Sequence, residues 1–262
     1  MPPTTQRLFD CDFVTDVEIA DLVALLRAEE EPSVEWRCTV TPNVDHLVRY
    51  QHHPVEAEVA QHATLLLPDG MPIVLASRRL GRPLARRLAG SDLFAGLWPS
   101  LARDRVPTVV LASSQDVADL LMAEHPAATV IVPPFFDTDD DAAVTAVVDD
   151  LVAACAAIDA HFLFICVSMP KHHLLASRLR TRWQGRASPH VLLLGASPDF
   201  YLGLAKRAPE WMQRASLEWL HRLASEPRRM ARRYLIDDPE FLLLYLRERR
   251  ALRRTGTAHV DA

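Results

Sequence analysis

The sequence predicts an α/β protein with a Rossmann-like, mostly parallel sheet flanked by helices and a basic α-helical appendage at the C-terminus. Residues 16–194 alternate helix-period and strand-like segments, which is typical of a parallel sheet covered by helices. The 262 residues are 49% apolar and 24% charged, enough to build a large core. Over residues 204–254, however, 13 Arg and Lys stand against 7 Asp and Glu, although the whole chain carries −5.

Six short, apolar segments are predicted as the strands of this sheet. They cover residues 34–41, 64–67, 106–112, 129–132, 161–167 and 191–194. Pro42 and Asn43 stop the first strand, and the turn residues Pro68-Asp69-Gly70 end the second. The sheet should therefore present the residues that follow each strand along one edge.

Segments with helical spacing lie between these strands and before the first. The predicted helices cover residues 16–30, 44–60, 71–80, 115–124, 142–158 and 171–183. Pro54 should interrupt the second helix. The acidic run 137–141 resembles a metal-binding Asp-x-Asp, but acidic residues stabilise a helix N-terminus, so we expect it to cap the helix near residue 142.

The charge reversal divides the chain into a predicted body, residues 1–203, and a predicted appendage, residues 204–262. Apolar residues recur every four positions at Trp211, Ala215, Trp219 and Leu223, which places an apolar stripe on a helix that Pro227 ends or kinks. Arg229 and Arg232 then share one face of a second helix. A solvated face or a patch for anionic lipid head groups is an alternative to a catalytic role for these arginines.

Composition excludes several classes of protein. The four cysteines form no Cys-x-x-Cys pair, so we expect them to pack in a core within a reducing compartment. The first 12 residues do not form a secretory signal, and no apolar window reaches the ~20 residues of a spanning helix. We expect a cytoplasmic protein with at most peripheral membrane contact. The net charge argues against a nucleic-acid partner.

No metal or phosphate-binding motif is present in the sequence. Only 8 glycines occur, and neither G-x-G-x-x-G nor G-x-x-x-x-G-K is found. A bound diphosphate would have to be held by Arg side chains. The pairs His52-His53 and His172-His173 are adjacent, so their side chains should diverge by about 100° on a helix and cannot share a metal. We expect neither a metal nor another cofactor.

Two strand ends carry candidate functional residues. Asp69 follows a buried strand, where open α/β sheets place their ligands. The alternative is that Asp69 only forms an Asx-type turn. Thr41 and Asn43 follow the preceding strand, and either could instead cap the next helix.

Several segments together resemble the WecG/TagA/CpsF glycosyltransferases, which form glycosyltransferase family 26. The resemblance covers residues 35–247 and is most specific in the C-terminal block. The matching segments are Asp69-Gly70, Arg87, Gly90-Ser91-Asp92-Leu93, Lys206-Arg207-Ala208-Pro209-Glu210-Trp211-Met212, Leu217-Glu218-Trp219-Leu220 and Glu226-Pro227-Arg228-Arg229.

The resemblance implies a metal-independent, inverting transferase. Such an enzyme would transfer a sugar from a nucleotide diphosphate sugar to a hydroxyl group of an acceptor. In the family, the acceptor is usually a polyprenyl-diphosphate-linked sugar used for the synthesis of cell-surface polysaccharide. By analogy, Asp69 would be the general base, and Thr41 and Arg87 would line the donor pocket with Asn43 and Asp92 nearby. The catalytic arginines of the appendage would neutralise the departing diphosphate; they are Arg222, Arg229 and Arg232.

Three loops depart from the family pattern. Ala112-Ser113-Ser114 replaces a Gly-Gly, His172 replaces a Gln that contacts substrate, and the segment 195–200 keeps Asp199 but loses glycine. These changes leave open an O- or S-linked transfer to a soluble small molecule in a natural-product or antibiotic pathway. A third alternative is a non-catalytic relative that binds a nucleotide or the inner membrane surface. The chain could act alone or as a homo-oligomer, with the appendage serving its own subunit or a neighbour.

Overall fold

The structure, a computed structural model, describes residues 3–205 and 238–257. Within these ranges six strands form one parallel sheet, and two others form a separate antiparallel hairpin. In chain order the strands are β1 (Thr5–Leu8), β2 (Cys11–Val14), β3 (Cys38–Val40), β4 (Leu65–Leu66), β5 (Thr108–Leu111), β6 (Ala128–Ile131), β7 (Phe162–Ile165) and β8 (His190–Leu193).

Helices connect the strands and cover the sheet. The helices of the described residues are α1 (Ile19–Ala28), α2 (Val44–Tyr50), α3 (Pro54–Gln61), α4 (Met71–Arg79), α5 (Gly90–Asp104), α6 (Gln115–Glu124), α7 (Asp141–Ile158), α8 (Lys171–Arg182), α9 (Ser197–Tyr201) and α10 (Asp238–Thr257). Pro54 begins α3, which confirms that the predicted second helix is interrupted there.

The sheet has the strand order β4-β3-β8-β7-β5-β6, and every neighbouring pair is parallel. Each of the six predicted strands overlaps one of these strands, so the predicted α/β architecture is confirmed. Parallel neighbours require crossover connections, and helices supply them here. All the carboxyl ends of the strands therefore lie along one edge.

Alternating side chains of the strands fill two apolar clusters, one on each face of the sheet. In β7, Leu163 and Ile165 belong to the first cluster, whereas Phe162 and Phe164 belong to the second. Buried residues of α2, α3, α4, α7 and α8 pack in the first cluster, and those of α1, α5 and α6 pack in the second. The four cysteines are buried in these clusters as expected.

The β1–β2 hairpin and helix α5 were not predicted from the sequence. The β1–β2 hairpin turns at Phe9 and Asp10, which both have positive φ although neither is glycine, so the usual Asn-Gly signal is missing. Helix α5 begins at Gly90 and contains Gly96 and Pro99, which are poor helix formers. Its stability comes instead from a fully buried face of five residues, Leu93, Phe94, Leu97, Trp98 and Leu101.

Helix α10 packs on the body beside α2 and the hairpin. The rings of Phe9 and Phe241 lie 5.6 Å apart, and Leu244 is buried in the first cluster. His52 Nε2 lies 3.3 Å from a carboxylate oxygen of Glu240. Because residues 206–237 lie outside the described ranges, the predicted division of the chain at residue 204 stays a prediction.

No helix in residues 3–205 or 238–257 is long and apolar enough to cross a membrane.

Candidate active site

Polar residues follow nearly every strand of the sheet at its carboxyl edge. Thr41 follows β3, Asp69 follows β4 and Ser113 follows β5. His172 comes after β7, and Asp199 lies in α9 after β8. The parallel sheet thus brings to one edge residues that are up to about 160 positions apart in the sequence.

The carboxylate of Asp69 is held from two directions. Arg87 Nε donates to Oδ1 at 3.1 Å, and the backbone N–H of Gly90 donates to Oδ2 at 3.3 Å. The N–H of Asp69 itself donates to the carbonyl of Pro42 at 3.0 Å. The Asp69 side chain keeps 24% of its surface exposed. It is therefore oriented by the protein and still open to a ligand, rather than a simple turn residue facing water.

Gly90 brings the start of α5 into close contact with the ends of β3 and β8. A Cβ atom at this position would lie 3.0 Å from Thr41 Oγ1 and 3.3 Å from Ser197 Oγ. Thr41 is buried, and its hydroxyl donates to the carbonyl of Leu193 at 3.3 Å. Only a residue without a side chain lets the Gly90 N–H reach Asp69 while Thr41 stays in place.

Asn43 caps α2, as one of the two sequence hypotheses expected. Its Oδ1 accepts from the N–H of His46 at 3.3 Å, and its own N–H donates to His46 Nδ1 at 3.0 Å. Asp140 likewise caps α7 by accepting from the N–H of Ala143 at 3.0 Å, so the capping role predicted for the acidic run is confirmed.

His172 and His173 lie side by side in the interior, with ring centroids 4.6 Å apart. The expectation that these adjacent side chains diverge is therefore wrong. Both rings pack against His46, at 5.7 and 5.8 Å, because the first turn of α8 faces the start of α2 and rotation about the side-chain bonds brings the rings together. Tyr50 closes this histidine cluster, with its hydroxyl 2.9 Å from His173 Nε2.

Hydrogen bonds set the protonation of His172. Its Nδ1 lies 2.8 Å from the carbonyl oxygen of Val167, which can only accept, so Nδ1 carries the proton and Nε2 is an acceptor in the neutral ring. Burial lowers the pKa of His172 to about 4, against the effect of that hydrogen bond. Burial also lowers the pKa of His173, and the nearby His172, His46 and Arg49 act in the same direction.

A second carboxylate lies further along the same edge. Both oxygens of Asp199 lie 3.3 Å from the hydroxyl of Ser113, which can donate to one of them at a time. Partial burial raises the pKa of Asp199, and the bonds from its own backbone and from Ser113 oppose that rise. Asp199 lies two residues after Ser197, which approaches Gly90, so α9 links this pair to the surroundings of Asp69.

Four further residues were predicted as parts of the site, namely Asp92 and the three arginines of the appendage. Asp92 lies in the first turn of α5, two residues after Gly90. Arg222, Arg229 and Arg232 lie outside the described residues, and their predicted roles stay predictions.

The described residues offer no obvious metal site or reactive thiol. In residues 3–205 and 238–257, no group of three or more His, Cys, Asp or Glu side chains has the arrangement of a metal site. Burial raises the pKa of Cys11, Cys38 and Cys155 to about 12, which keeps these thiols protonated and unreactive. The polar groups that the described residues bring to the edge are carboxylates, hydroxyls, the guanidinium group of Arg87 and the imidazole of His172.

Sequence reasoning missed Gly90, Ser113, Ser197 and His46 as parts of the site. Gly90, Ser113 and Ser197 lie in segments that were quoted for the resemblance or as departures from it. Nothing in their spacing showed that they approach Thr41 and Asp199, because those contacts join different strands.

Comparison with known proteins agrees with these features. The profile of the glycosyl transferase WecG/TagA/CpsF family matches residues 7–255. An N-acetylglucosaminyldiphosphoundecaprenol N-acetyl-beta-D-mannosaminyltransferase of Bacillus spizizenii is 24% identical over 251 residues, which cover 94% of this chain and 93% of that protein. The similarity thus extends over nearly the full length of both chains.

The histidine cluster predicts that the protein loses stability in mild acid. His172 titrates near 6.5 in the unfolded chain and at about 4 in the folded one, so the unfolded state binds more protons between these values. The stabilising contribution of neutral His172 should therefore be complete above about pH 6.5. The free energy of unfolding should fall as the pH drops towards 4. Urea denaturation at pH 7.5, 6 and 5 measures this.

A His172→Gln variant should show a flatter pH dependence in this range, whereas a control at the exposed His53, His53→Gln, should keep the slope of the parent. Equal slopes for the parent and His172→Gln would contradict the assignment.

Proposed function

This chain belongs to the WecG/TagA/CpsF glycosyltransferase family, and we propose that it transfers a sugar from a nucleotide diphosphate sugar to a hydroxyl of a polyprenyl-diphosphate-linked acceptor, with inversion. The observation that carries this proposal is the carboxylate of Asp69, held by Arg87 and the Gly90 N–H at the carboxyl edge and still partly exposed.

Asp69 is the proposed general base. It takes the proton from the acceptor hydroxyl while that oxygen forms a bond to the anomeric carbon of the donor sugar. The bond between this carbon and the diphosphate oxygen breaks with its electron pair, and the nucleoside diphosphate leaves from the opposite side. A single displacement of this kind inverts the configuration. Arg87 and Gly90 hold the carboxylate in one orientation, which reduces the cost of aligning it with the acceptor.

The departing diphosphate carries the negative charge that builds up in the transition state. We assign its neutralisation to Arg222, Arg229 and Arg232, whose guanidinium groups suit phosphate oxygens and would do what a divalent metal does in other transferases. Support for these three comes from the resemblance alone. Thr41 and Arg87 would line the donor side of the pocket, with Asn43, Asp92 and His172 as further contacts.

The acceptor is proposed to be lipid-linked, as the name of the Bacillus spizizenii relative indicates for that enzyme. Helix α10 supports this assignment. It exposes Leu242 at 57%, Leu243 at 54% and Leu246 at 37%, and exposed arginines continue the same helical face at Arg249 and Arg250. Leucines followed by cations fit a membrane surface with anionic lipids. We therefore place the protein in the cytoplasm, peripherally on the inner face of the membrane.

Replacing the base should abolish most turnover without loss of donor binding. Asp69→Asn is expected to lower kcat by roughly 10²- to 10⁴-fold, because the amide cannot accept the hydroxyl proton. Transfer of labelled sugar gives kcat, and calorimetric titration gives the affinity for the nucleotide sugar. Asp21→Asn is the control, since Asp21 also accepts a backbone N–H but lies in α1 away from the edge. Near-normal turnover by Asp69→Asn would refute the assignment.

Crowding at Gly90 should affect turnover more than folding. A Gly90→Ala side chain must push Thr41 away or move the N–H that donates to Asp69. Since a misplacement of about 1 Å can cost roughly 10²-fold in rate, we expect this smaller shift to cost roughly 10-fold. Gly96→Ala is a matched control in the same helix, since its Cβ would lie 3.1 Å from Val23 Cγ2, away from the site. Equal kcat values for the two variants, measured on folded protein, would show that Gly90 has no special role.

Membrane contact by α10 can be tested by making its exposed leucines polar. The triple variant Leu242→Ser, Leu243→Ser, Leu246→Ser should bind anionic vesicles at least about tenfold more weakly. Each leucine that becomes buried in the membrane contributes ~1.5–3 kcal/mol to the free energy of binding. Vesicle sedimentation measures the binding. The double variant Leu120→Ser, Met122→Ser, on the exposed part of α6, is the control.

Transfer to an acceptor embedded in vesicles should fall in the triple variant, whereas transfer to a short-chain acceptor in solution should not. A parent protein that ignores vesicles and turns over fully without lipid would favour the soluble acceptor instead.

A further inference from the structure

The backbone of Asp69 is held by the loop that follows β3, residues 41–43. The N–H of Asp69 donates to the carbonyl oxygen of Pro42 at 3.0 Å, which continues the parallel pairing of β3 with β4 beyond the two strands. Thr41, in the same loop, packs against Gly90, whose N–H donates to the carboxylate of Asp69. A shift of this loop would therefore move the backbone of Asp69 together with a donor to its side chain.

The other end of the loop is fixed by His46, the third residue of α2. The N–H of Asn43 donates to His46 Nδ1 at 3.0 Å, and the N–H of His46 donates to Asn43 Oδ1 at 3.3 Å. This is the reciprocal pattern of a capping box, in which the third helical residue usually is Glu or Gln. An imidazole has fewer rotatable bonds than those side chains, so it holds the N–H of Asn43 in a narrower range of positions.

Neighbouring rings keep His46 in this orientation. Tyr50, one turn later in α2, stacks on it with a centroid distance of 6.5 Å and an interplanar angle of 19°. The rings of His172 and His173 lie 5.7 and 5.8 Å from it, and His173 Nε2 is 2.9 Å from the hydroxyl of Tyr50. Because Nδ1 of His46 accepts a hydrogen bond, it carries no proton, and the neutral ring is protonated on Nε2.

We propose that His46 is a positioning residue for sugar transfer, which fixes the loop 41–43 from the side of α2 and, through Pro42, aligns Asp69 with the acceptor hydroxyl. His46 acts through the backbone of Asn43 and Pro42, and no contact with a substrate is assigned to it. The inference rests on the proposed function, because it takes Asp69 to be the general base.

Helix α1 provides a matched cap for comparison. Asp21, the third residue of α1, accepts the N–H of Glu18 at 2.8 Å, so it occupies the same place in its cap as His46 does in α2. Asp21 is not part of the loop 41–43. Loss of either bond should lower the free energy of unfolding by a similar amount, whereas only the loss at His46 should reach Asp69.

Two substitutions separate the acceptor of His46 from its bulk. His46→Leu keeps a large side chain between the rings but removes the acceptor, whereas His46→Gln keeps an acceptor at the third helical position. Since a misplacement of about 1 Å can cost roughly 10²-fold in rate, His46→Leu should lower kcat for transfer of labelled sugar by roughly tenfold. His46→Gln should recover most of this loss, and Asp21→Ala should keep the kcat of the parent. An unchanged kcat in His46→Leu, or an equal loss in His46→Gln, would overturn the inference.

Amide hydrogen exchange at Asp69 gives a second measurement that needs no substrate. The N–H of Asp69 is protected by its bond to Pro42, so it should exchange roughly threefold faster or more in His46→Leu than in the parent. His46→Gln and Asp21→Ala should exchange like the parent. Nuclear magnetic resonance of the nitrogen-15-labelled full-length protein measures these rates.

Unchanged exchange at Asp69 in His46→Leu would overturn the inference whatever the activity of that variant. Near-normal turnover by Asp69→Asn would instead refute the proposed base, and the exchange rates at Asp69 would not change that result. The failure of the inference and the failure of the proposed function are therefore distinguishable.

Discussion

The contact of Asp69 with Arg87 and the Gly90 N–H is the constraint on which the site depends. It joins the loop after β4 to the start of α5, and Gly90 in turn approaches Thr41 and Ser197 at the ends of β3 and β8. Three strand ends are thereby held around one carboxylate. In the role proposed for it, a carboxylate fixed by charge and by a backbone donor would need little reorganisation to accept a proton.

The arrangement of the rest of the carboxyl edge depends on the face of the sheet on which the helix after each strand packs. Helices α6 and α8, which follow the neighbouring strands β5 and β7, pack in different apolar clusters. Polar and aromatic side chains, among them Ser113, Asp199 and Phe135, follow the strands along this edge.

The buried imidazoles of His172 and His173 stabilise the region between α2 and α8 only while they are neutral. His172 donates to the carbonyl of Val167, and His173 Nε2 lies within hydrogen-bond distance of the Tyr50 hydroxyl. The half-buried His46 accepts from the N–H of Asn43 and packs against both rings. The sequence showed two adjacent histidines and led to the wrong expectation that they diverge. The spacing of residues on a helix fixes the direction of each Cα–Cβ bond. The position of the imidazole ring depends in addition on the rotamer, which the packing of neighbouring residues selects.

Local patterns in the sequence determined the α/β class, all six strands of the sheet, the break at Pro54 and the caps at Asn43 and Asp140, because each depends on residues a few positions apart. They also located Asp69 at a strand end. Only the tertiary structure decided that Arg87 and Gly90 hold Asp69, that Ser113 meets Asp199 and that Phe135 stays exposed beside Lys171. These contacts depend on strand order and on the face to which each helix turns, which no local spacing records.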